Sequence, residues 1–403
     1  MFIANQKRLS VLIGAESLYI RRSGVGRMTV EIARAALQAP GIDRVELLLG
    51  ETVANASVLE RLTDEGIESV LNPGAWRQAR PWRIAVGQLP GVQALRRLKN
   101  GGLARKVRRL ARESGQRLVY HEPNMITQPI CVPTVATIND LSWRHHPAWH
   151  PADRLAWIDR NINRTLREAT RFVAISEFTK DAVIQEFGIG AERIDVVPLA
   201  PAPGFVPIGR DAAAASLAQY GLLDRSYVFS TSTIEPRKNF DRLLAAYLQL
   251  PAALRAQAPL VIAGGRGWGE ALTRPDAQRA IASGSVRMLG HVPDEDLPVL
   301  CARAAMFAYV SLYEGFGLPV VEAMATGTAV LASETTAVGE LAAGAAVLVD
   351  PRDVADMALK LQEILEDHAL AERLRNTSVA RAAQYSWGKT IMRLQQSWRR
   401  ALD

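Results

Sequence analysis

Short apolar runs alternate along the chain with longer amphipathic stretches. The apolar runs are rich in β-branched residues, which predicts strands at residues 9–13, 118–120, 134–138, 172–175, 227–230, 260–263, 306–310 and 329–332. The stretches between them repeat apolar residues with helical spacing, which predicts helices that include residues 27–37, 177–187, 240–250 and 354–365. Strands that alternate with helices in this way favour the α/β class, in which helices cover parallel sheets.

A segment with three prolines and a glycine, residues 198–204, interrupts both patterns. Clusters of proline and glycine end strands and helices, so this segment is the best candidate for a domain boundary. We therefore predict two Rossmann-like halves, residues 1–202 and 203–384, followed by a last helix within residues 385–403. Ligands of such sheets bind beyond the carboxyl ends of the strands, which places the predicted site in the cleft between the halves.

The composition is that of a globular protein, because 48% of the 403 residues are apolar and 22% are charged. Fibrous, collagen-like and disordered classes are excluded. The apolar run near the N-terminus, residues 11–13, is too short for an export signal, and no apolar stretch approaches the length of a membrane span. The two cysteines lie far apart in the sequence. We expect a cytoplasmic protein. The formal net charge of +7 favours anionic partners such as nucleotides, nucleic acid or an acidic membrane surface.

The segment 311–327 carries the most specific signal. It places a glycine loop, residues 315–317, between a predicted strand and a helix that Pro319 is suited to begin. Such a helix start offers backbone N–H groups to an anion. Glu314 and Glu322 flank this anion site, and carboxylates there would repel phosphates unless they face hydroxyl groups, as sugar and ribose diols provide. The alternative is that Glu322 only complements the helix dipole.

A second signal is the sequence from Glu235 to Asn239, which follows the predicted strand 227–230. Asn239 is a good N-cap for the next helix, so Arg237 and Lys238 would lie at the positive end of a helix dipole, where cations are unfavourable. A bound diphosphate would reverse the sign of this interaction and would accept charge-assisted hydrogen bonds from both side chains. The alternative is a pair of solvated surface cations.

These two segments make the chain resemble the family-4 retaining glycosyltransferases of the GT-B fold. Residues 314–322 match the E-x7-E motif of that family and residues 235–239 match its diphosphate-binding motif. Further similarity lies at residues 23–26, 176–180, 289–294 and 347–351. The resemblance implies an N-terminal half that binds the acceptor, a C-terminal half that binds a nucleotide-sugar, and a last helix that returns to the N-terminal half. It also implies transfer of a hexose with retention of anomeric configuration.

By the same resemblance, Arg237 and Lys238 hold the donor diphosphate, Glu322 binds the ribose hydroxyls, and Glu314 contacts the transferred sugar as a catalytic residue. Further donor-binding residues are expected at Thr233, Gly290, His291, Val292, Gly315, Phe316, Gly317 and Leu318. We expect these cations and loop amides to meet the charge of the leaving diphosphate, without a metal or a cofactor. The roles predict that Glu322→Ala weakens nucleotide binding, whereas Glu314→Gln leaves it nearly intact and lowers kcat roughly 10²-fold or more.

Residues 120–124 and 137–143 resemble the branch of the family that makes mannose- or D-rhamnose-containing bacterial surface polysaccharides. This implies a GDP-sugar as the preferred donor, a UDP-sugar as the alternative, and a lipid-linked saccharide acceptor in O-antigen-type synthesis. The chain departs from the family at Asn139, where many members have His, at Thr233, where some have an additional Arg, and at residues 198–201. The other functions open to the sequence are a nucleotide-sugar epimerase or phosphorylase on the same fold, and a non-catalytic basic peripheral-membrane binding protein.

The first half also offers candidates for the cleft. Gly24 and Gly26 precede a predicted helix and would let the backbone approach the diphosphate, although a simple turn explains them equally well. Asn139 and Asp140 follow a strand, so we place Asn139 beside the acceptor and Asp140 in a catalytic role that positions an acceptor hydroxyl; a helix cap is the alternative for Asp140. His121 also follows a strand, where contact with the acceptor and a place in the protein interior are equally compatible with the sequence.

Two further patterns resemble metal sites but lack the spacing that ligation requires. The histidines are His145, His146 and His150. Pro147 lies between His146 and His150 and breaks the helix that metal ligands four residues apart would need. The acidic residues 294–296 follow a proline and open a predicted helix, where acids complement the dipole. We therefore predict no metal site.

Residues 77–117 contain twelve lysines and arginines and one acid, Glu113, so the basicity of the chain is local. Apolar residues interleave with the basic ones, as in amphipathic segments that bind membranes; they include Trp82, Leu95, Leu98, Leu103, Val107 and Leu110. Anionic lipid attracts basic side chains, so we predict that this segment docks on the inner face of the plasma membrane. The alternative is a solvated helix face. Nucleic acid is not an expected partner, because no recognition module accompanies the segment.

Overall fold

The computed structural model of the protein describes residues 8–19, 24–61, 90–265, 267–269 and 271–403. The strands are β1 (Leu9–Gly14), β2 (Ile42–Leu49), β3 (Thr52–Asn55), β4 (Leu118–Glu122), β5 (Thr134–Ile138), β6 (Arg171–Ala174), β7 (Ile194–Val196), β8 (Val228–Thr231), β9 (Leu260–Ala263), β10 (Val286–Gly290), β11 (Met306–Tyr309), β12 (Val330–Ser333) and β13 (Val347–Val349). Ser23 and residues 77–89 of the predicted membrane segment lie outside the described residues.

The α-helices are α1 (Gly24–Gln38), α2 (Pro90–Glu113), α3 (Ser142–His145), α4 (Ala152–Glu168), α5 (Glu177–Phe187), α6 (Arg210–Gln219), α7 (Phe240–Gln249), α8 (Ala252–Gln257), α9 (Pro275–Ala282), α10 (Leu297–Ala302), α11 (Leu318–Ala325), α12 (Thr336–Ala342), α13 (Val354–Glu366), α14 (His368–Ala382) and α15 (Trp387–Arg400). Short 3-10 helices lie at Glu16–Tyr19, Ala56–Arg61, Pro147–Trp149, Ala191–Arg193 and Pro236–Lys238.

The first sheet has the strand order β3-β2-β1-β4-β5-β6-β7 within the described residues. Neighbouring strands are parallel except for β2 and β3, which pair antiparallel at the edge. β1, β4 and β5 are buried along their whole length, which is why their sequences show mainly apolar residues rather than an alternating pattern; His121 and Glu122 at the end of β4 are the exceptions there. Because parallel strands end at the same edge, the segments that follow these three strands lie along one rim of the first half.

The second sheet has the strand order β10-β9-β8-β11-β12-β13, and all of these neighbours are parallel. β8 and β11 pair directly although they are far apart in sequence, so the order of the strands reverses between them. The segments after β8 and β11 therefore emerge side by side at the position where open α/β sheets bind ligands. The two sheets make two Rossmann-like halves, as the alternating pattern predicts.

The last helix, α15, returns to the first half. It packs against α1, β6 and β7, and its Trp398 side chain is fully buried there. The Nε1 of Trp387 donates a hydrogen bond of 3.0 Å to the carbonyl oxygen of Pro201, within the proline-rich connection between the sheets. Helix α15 thus holds the proline-rich connection against the first half of the protein.

Helix α2 corrects the membrane interpretation of its apolar residues. Leu103, Val107 and Leu110 are buried in one cluster with side chains of β1, β2 and β4, so they cover the first sheet and are not available to lipid. The opposite face of the helix is basic and exposed, and it carries Arg105, Arg108, Arg109 and Arg112. Within the described ranges, no helix is both long and apolar enough to cross a membrane.

The eight predicted strands are all present, with bounds that differ by at most two residues. The glycines before the first predicted helix are placed differently. Gly24 and Gly26 lie inside the first turn of α1 rather than before it. The entropic cost of glycine is greatest in the middle of a helix, so two glycines are tolerated in the first turn.

Candidate active site

A cleft between the two halves holds a cavity of about 330 Å³. The carboxyl ends of β8 and β11 reach it from the second half, and α1 and the segment after β5 reach it from the first. The predicted site residues that line the cavity are Gly24, Asn139, Asp140, Thr233, Arg237, Lys238, His291, Val292, Glu314, Gly315, Phe316, Gly317, Leu318 and Glu322. Gly290 ends β10 with a positive φ of 66° and directly precedes His291.

The glycine loop after β11 forms the start of α11. Gly317 precedes this helix with a φ of +102°, a conformation that favours glycine, and Pro319 is the second helical residue rather than the first. Gly315 is required for a different reason, because a Cβ atom there would lie 1.7 Å from the carbonyl oxygen of Asn139 in the other half. The loop therefore brings a helix N-terminus to the cavity and lets the backbones of the two halves touch.

Glu314 is the centre of a buried ion cluster. Its Oε1 accepts hydrogen bonds from Lys238 Nζ at 2.5 Å, Ser311 Oγ at 2.7 Å and Tyr309 OH at 2.9 Å, and its Oε2 accepts one from Arg237 Nη1 at 2.9 Å. The residue is only 7% exposed. Burial raises the pKa of Glu314, but Arg237 and Lys238 outweigh it and bring the pKa to about 2. Glu314 is therefore ionised near neutral pH and held by four donors.

These contacts rule out the alternative for Arg237 and Lys238. Arg237 and Lys238 are not solvated surface cations, since their side chains are 18% and 9% exposed and both are paired with Glu314. Arg237 is also paired with Glu235 Oε1 at 2.7 Å. Burial, together with the charge of Arg237, lowers the pKa of Lys238. Glu314 faces these cations rather than projecting alone into the cavity, so any anion that binds the cations has to compete with its carboxylate.

Asn239 directly precedes α7, but its side chain makes no capping hydrogen bond, so the predicted side-chain cap is wrong. The residue adopts a φ of +60°, and its Nδ2 donates hydrogen bonds to the carbonyl oxygens of Val310 at 2.9 Å and Pro351 at 2.7 Å. Its Oδ1, the atom that would cap the helix, instead accepts a hydrogen bond of 3.0 Å from Arg242 Nη1. Asn239 therefore ties the turn that bears the two cations to the end of β11, while α7 still begins at Phe240 as predicted.

Glu322 lies on α11 and is 3% exposed. Its Oε2 accepts a hydrogen bond of 3.3 Å from Nη2 of Arg27, which belongs to α1 in the other half. Burial raises the pKa of Glu322, and Arg27 opposes this shift. A side chain that only complements the helix dipole would not need a partner across the cleft. Sequence reasoning missed Arg27, although its position directly after Gly24 and Gly26 was a usable signal.

Asn139 and Asp140 lie on the first-half side of the cavity. The Nδ2 of Asn139 donates to the carbonyl oxygen of Pro123 at 2.9 Å. Asp140 Oδ1 accepts hydrogen bonds from the N–H of Ser142 at 2.9 Å and from its Oγ at 2.7 Å, and Ser142 Oγ lies 3.0 Å from His150 Nε2. Asp140 thus binds the first residue of α3 from a position before the N-cap residue, Leu141, and also lines the cavity.

His121 corrects a predicted acceptor contact. Its side chain is fully buried, Nε2 lies 2.8 Å from Thr137 Oγ1, and its ring packs edge-on against Trp398 at 5.5 Å. Burial lowers the pKa of His121 to about 3, so it is a neutral interior histidine. The neighbouring Glu122 is buried too, and its Oε2 accepts a hydrogen bond of 2.6 Å from Tyr120 OH. Burial raises the pKa of Glu122 to about 7.

The three clustered histidines have other partners. His145 and His146 pack edge-on against Tyr313 at 5.8 and 5.6 Å, and His146 also stacks on Trp149 at 3.9 Å. In the part of the chain that the structure describes, no group of three or more His, Cys, Asp or Glu residues could hold a metal ion. The acidic segment 294–296 precedes α10, as predicted.

Two protein-family descriptions match this chain. Residues 22–200 match the family "Glycosyltransferase Family 4", and residues 216–381 match "Glycosyl transferases group 1". The chain is 30% identical over 379 residues to the O-antigen chain mannosyltransferase B of Escherichia coli, and the match covers 94% of this chain and 96% of that protein. It is 26% identical over 388 residues to the serotype-specific mannosyltransferase WbdA of Escherichia coli, where it covers 91% of this chain and 45% of the relative.

Solved structures of the same architecture are more distant in sequence. The Anabaena protein HepE, solved in complex with UDP and glucose, superposes with a TM-score of 0.67 at 18% identity, over 96% of this chain and 99% of that one. WaaG, a glycosyltransferase involved in lipopolysaccharide biosynthesis, superposes with a TM-score of 0.64 at 14% identity, over 96% and 98% of the two chains. These likenesses support the two-half fold that the sequence predicts.

Proposed function

The chain belongs to the family-4 glycosyltransferases of the GT-B fold, and from this premise we propose that it transfers mannose from a nucleotide-sugar to a saccharide during O-antigen-type polysaccharide synthesis. The two Escherichia coli relatives named as mannosyltransferases support this choice of sugar, and the name of the first supports an O-antigen chain as the product. D-rhamnose is the alternative hexose. GDP is the preferred nucleotide and UDP the alternative.

The observation that carries the proposal is the position of Arg237 and Lys238 beside the helix start of the glycine loop. Cations and helix N–H groups in a cavity between two halves stabilise a leaving diphosphate as its charge develops. This arrangement supplies the electrostatic role that a metal would otherwise have. Retention of anomeric configuration is part of the proposal. Transfer should persist in excess EDTA, and activity that is lost in EDTA and restored by Mn²⁺ or Mg²⁺ would contradict the metal-independent mechanism.

The donor is tested by thermal unfolding against a panel of nucleotide-sugars and their nucleoside diphosphates. A ligand at 100 times its Kd stabilises the folded state by about 2.7 kcal/mol, so the cognate donor should stand out. We expect GDP-mannose to give the largest shift in Tm, and the anomeric signal of the product to show retention. A panel without any stabilising nucleotide-sugar would refute the donor class, and conversion of the donor without an acceptor would indicate an epimerase.

We place the acceptor saccharide on the first half, at Asn139 and Asp140. Both residues line the cavity opposite the donor-binding segments. If Asp140 positions an acceptor hydroxyl, Asp140→Asn lowers kcat with little change in donor affinity. The matched control is Ser142→Ala, which removes the hydroxyl that Asp140 accepts from. If Asp140→Asn and Ser142→Ala lose the same stability and have the same activity, the role of Asp140 is structural only.

We also propose that the exposed basic face of α2 attracts an anionic membrane surface, to which a lipid-linked acceptor would bring the enzyme. Arg108 and Arg112 lie on this exposed face. Reversal of both to Glu should weaken binding to vesicles that contain anionic lipid by roughly tenfold or more, since each basic residue contributes about 1 kcal/mol near such a surface. The matched control reverses Arg160 and Arg167, which are exposed on α4. Equal binding to neutral and anionic vesicles would refute the proposal.

A further inference from the structure

Arg27 is a basic side chain of the first half at the predicted donor site. It lies on α1 in the turn that begins at Gly24, and it lines the same cavity as Arg237 and Lys238. Its side chain is 23% exposed, whereas that of its partner Glu322 is 4% exposed. The cavity therefore receives positive charge from both halves, and only Arg27 among these three cations comes from the first.

The bond between Arg27 and Glu322 is long for a pair of opposite charges. The 3.3 Å that separate Nη2 and Oε2 exceed the 2.7–2.9 Å at which charge-assisted hydrogen bonds are strong. A guanidinium carries five N–H donors in a fixed plane, which suits the oxygens of phosphates. A ligand group that binds Arg27 or Glu322 more strongly can therefore break the bond between them.

We propose that Arg27 is a third ligand of the donor diphosphate, and that it exchanges Glu322 for the diphosphate when the donor binds. The inference rests on the proposed function, in which the ribose hydroxyls donate to Glu322. The ribose gives Glu322 neutral donors in place of Arg27, and the diphosphate gives Arg27 an anion in place of Glu322. Because Arg27 and Glu322 belong to different halves, this exchange makes the diphosphate a bridge between α1 and the cation-bearing turn after β8.

The alternative is that Arg27 only orients Glu322 for the ribose. Inorganic pyrophosphate separates the two roles, because it contains the charged group and no ribose. A residue that acts only through Glu322 has no effect on pyrophosphate affinity. A residue that binds the diphosphate directly does change pyrophosphate affinity. In that case, removal of the Glu322 carboxylate, which competes for Arg27, strengthens pyrophosphate binding.

The experiment measures the binding of pyrophosphate, the nucleoside and the nucleoside diphosphate by calorimetry to four full-length variants. We expect Arg27→Gln to weaken pyrophosphate and nucleoside diphosphate binding roughly tenfold or more, the loss of a charged hydrogen bond. Arg27→Lys should recover part of that affinity. Glu322→Gln should tighten pyrophosphate binding several-fold while it weakens nucleoside binding. The matched control is Arg34→Gln, an exposed arginine on the same helix, which should leave all three affinities unchanged.

Unchanged pyrophosphate affinity in both Arg27→Gln and Glu322→Gln would overturn the inference and leave the orienting role. A wild-type protein that binds no nucleoside diphosphate would instead refute the proposed function. Thermal unfolding of each variant keeps these outcomes apart from misfolding. If Arg27→Gln fails to fold, the comparison of Arg27→Lys with Glu322→Gln still decides, because the exchange predicts opposite changes in pyrophosphate affinity.

Discussion

The ion cluster at Glu314 predicts that Glu314→Gln binds nucleoside diphosphate more tightly than the wild-type protein does. In the structure, the carboxylate competes for Lys238 Nζ and Arg237 Nη1, the groups proposed to hold the diphosphate. A glutamine keeps the shape of the side chain but removes the charge. The sequence alone predicts nearly unchanged binding for this substitution, so the structure changes the expected sign.

The magnitude follows from the bonds that are exchanged. A hydrogen bond to a charged group contributes about 1.5–3 kcal/mol and a neutral one about 0.5–1.5, so each cation released from the carboxylate gains roughly 1 kcal/mol. Two cations give roughly 2 kcal/mol, or about 30-fold in affinity at 1.36 kcal/mol per tenfold. We expect kcat to fall roughly 10²-fold in the same variant, because in the proposed function the charge is lost beside the sugar that is transferred.

Calorimetry with the nucleoside diphosphate and steady-state kinetics measure the two effects. The comparison variant is Glu235→Gln, the same chemical change in a carboxylate that is paired with Arg237 at 2.7 Å. It should give about half of the gain in binding free energy, roughly 1 kcal/mol, since one cation is released instead of two. Weaker nucleotide binding by Glu314→Gln would refute the reasoning and show that the carboxylate holds the cations in their binding positions.

Three further predictions concern other parts of the site. Lys238→Ala should weaken nucleoside diphosphate binding much more than nucleoside monophosphate binding in the same calorimetric series, and equal losses would remove Lys238 from the diphosphate site. Gly315→Ala should lower kcat roughly 10²-fold with a smaller change in nucleotide affinity, because its Cβ pushes on Asn139 and misplaces the two halves; unchanged kcat would show that the halves are not this close during turnover. Glu122→Gln should leave the free energy of unfolding unchanged near pH 4 and raise it by up to about 3 kcal/mol above pH 7. The reason is that the Glu122 carboxyl has a pKa of about 7 in the folded protein and about 4.5 in the unfolded chain. The wild-type protein therefore loses stability as the pH rises from 4.5 to 7, and the glutamine variant does not. Denaturant unfolding of both proteins across this range measures it, and a difference that is independent of pH would contradict the assignment.

The strands and the glycine loop could be predicted from the sequence because their signals are local. The continuous apolar runs of β1 and β5 reflect burial on both faces, a property of each segment by itself. β2 was missed because the polar residues Asp43 and Arg44 follow its first residue, Ile42, and β7 because it is only three residues long. The glycine loop was recognisable because strand, glycines and Pro319 follow one another without interruption.

Partners far apart in sequence could not be predicted in this way. His121 is predicted to follow a strand, but it lies inside β4, and Trp398 of the returning helix packs against its ring. Leu103, Val107 and Leu110 have the spacing of an amphipathic helix whether they face lipid or a sheet, so only the structure separates the two cases. Arg27 and Glu322 are 295 residues apart. The glycines before Arg27 indicate a position near the cleft, but no local feature identifies Glu322 as its partner.

The pairing of charges explains why buried ions are tolerated in this cleft. A buried carboxylate destabilises a fold unless cations and hydrogen bonds compensate it, and Glu314 has four donors in its own half of the protein. Glu322 depends instead on Arg27, at a longer distance and in the opposite half. The first cluster is stable without contact between the halves, whereas the second pair exists only when α1 and α11 approach each other. If the proposed function is correct, the two glutamates of one motif respond to different events: Glu314 to the diphosphate that competes for its cations, and Glu322 to the approach of the first half.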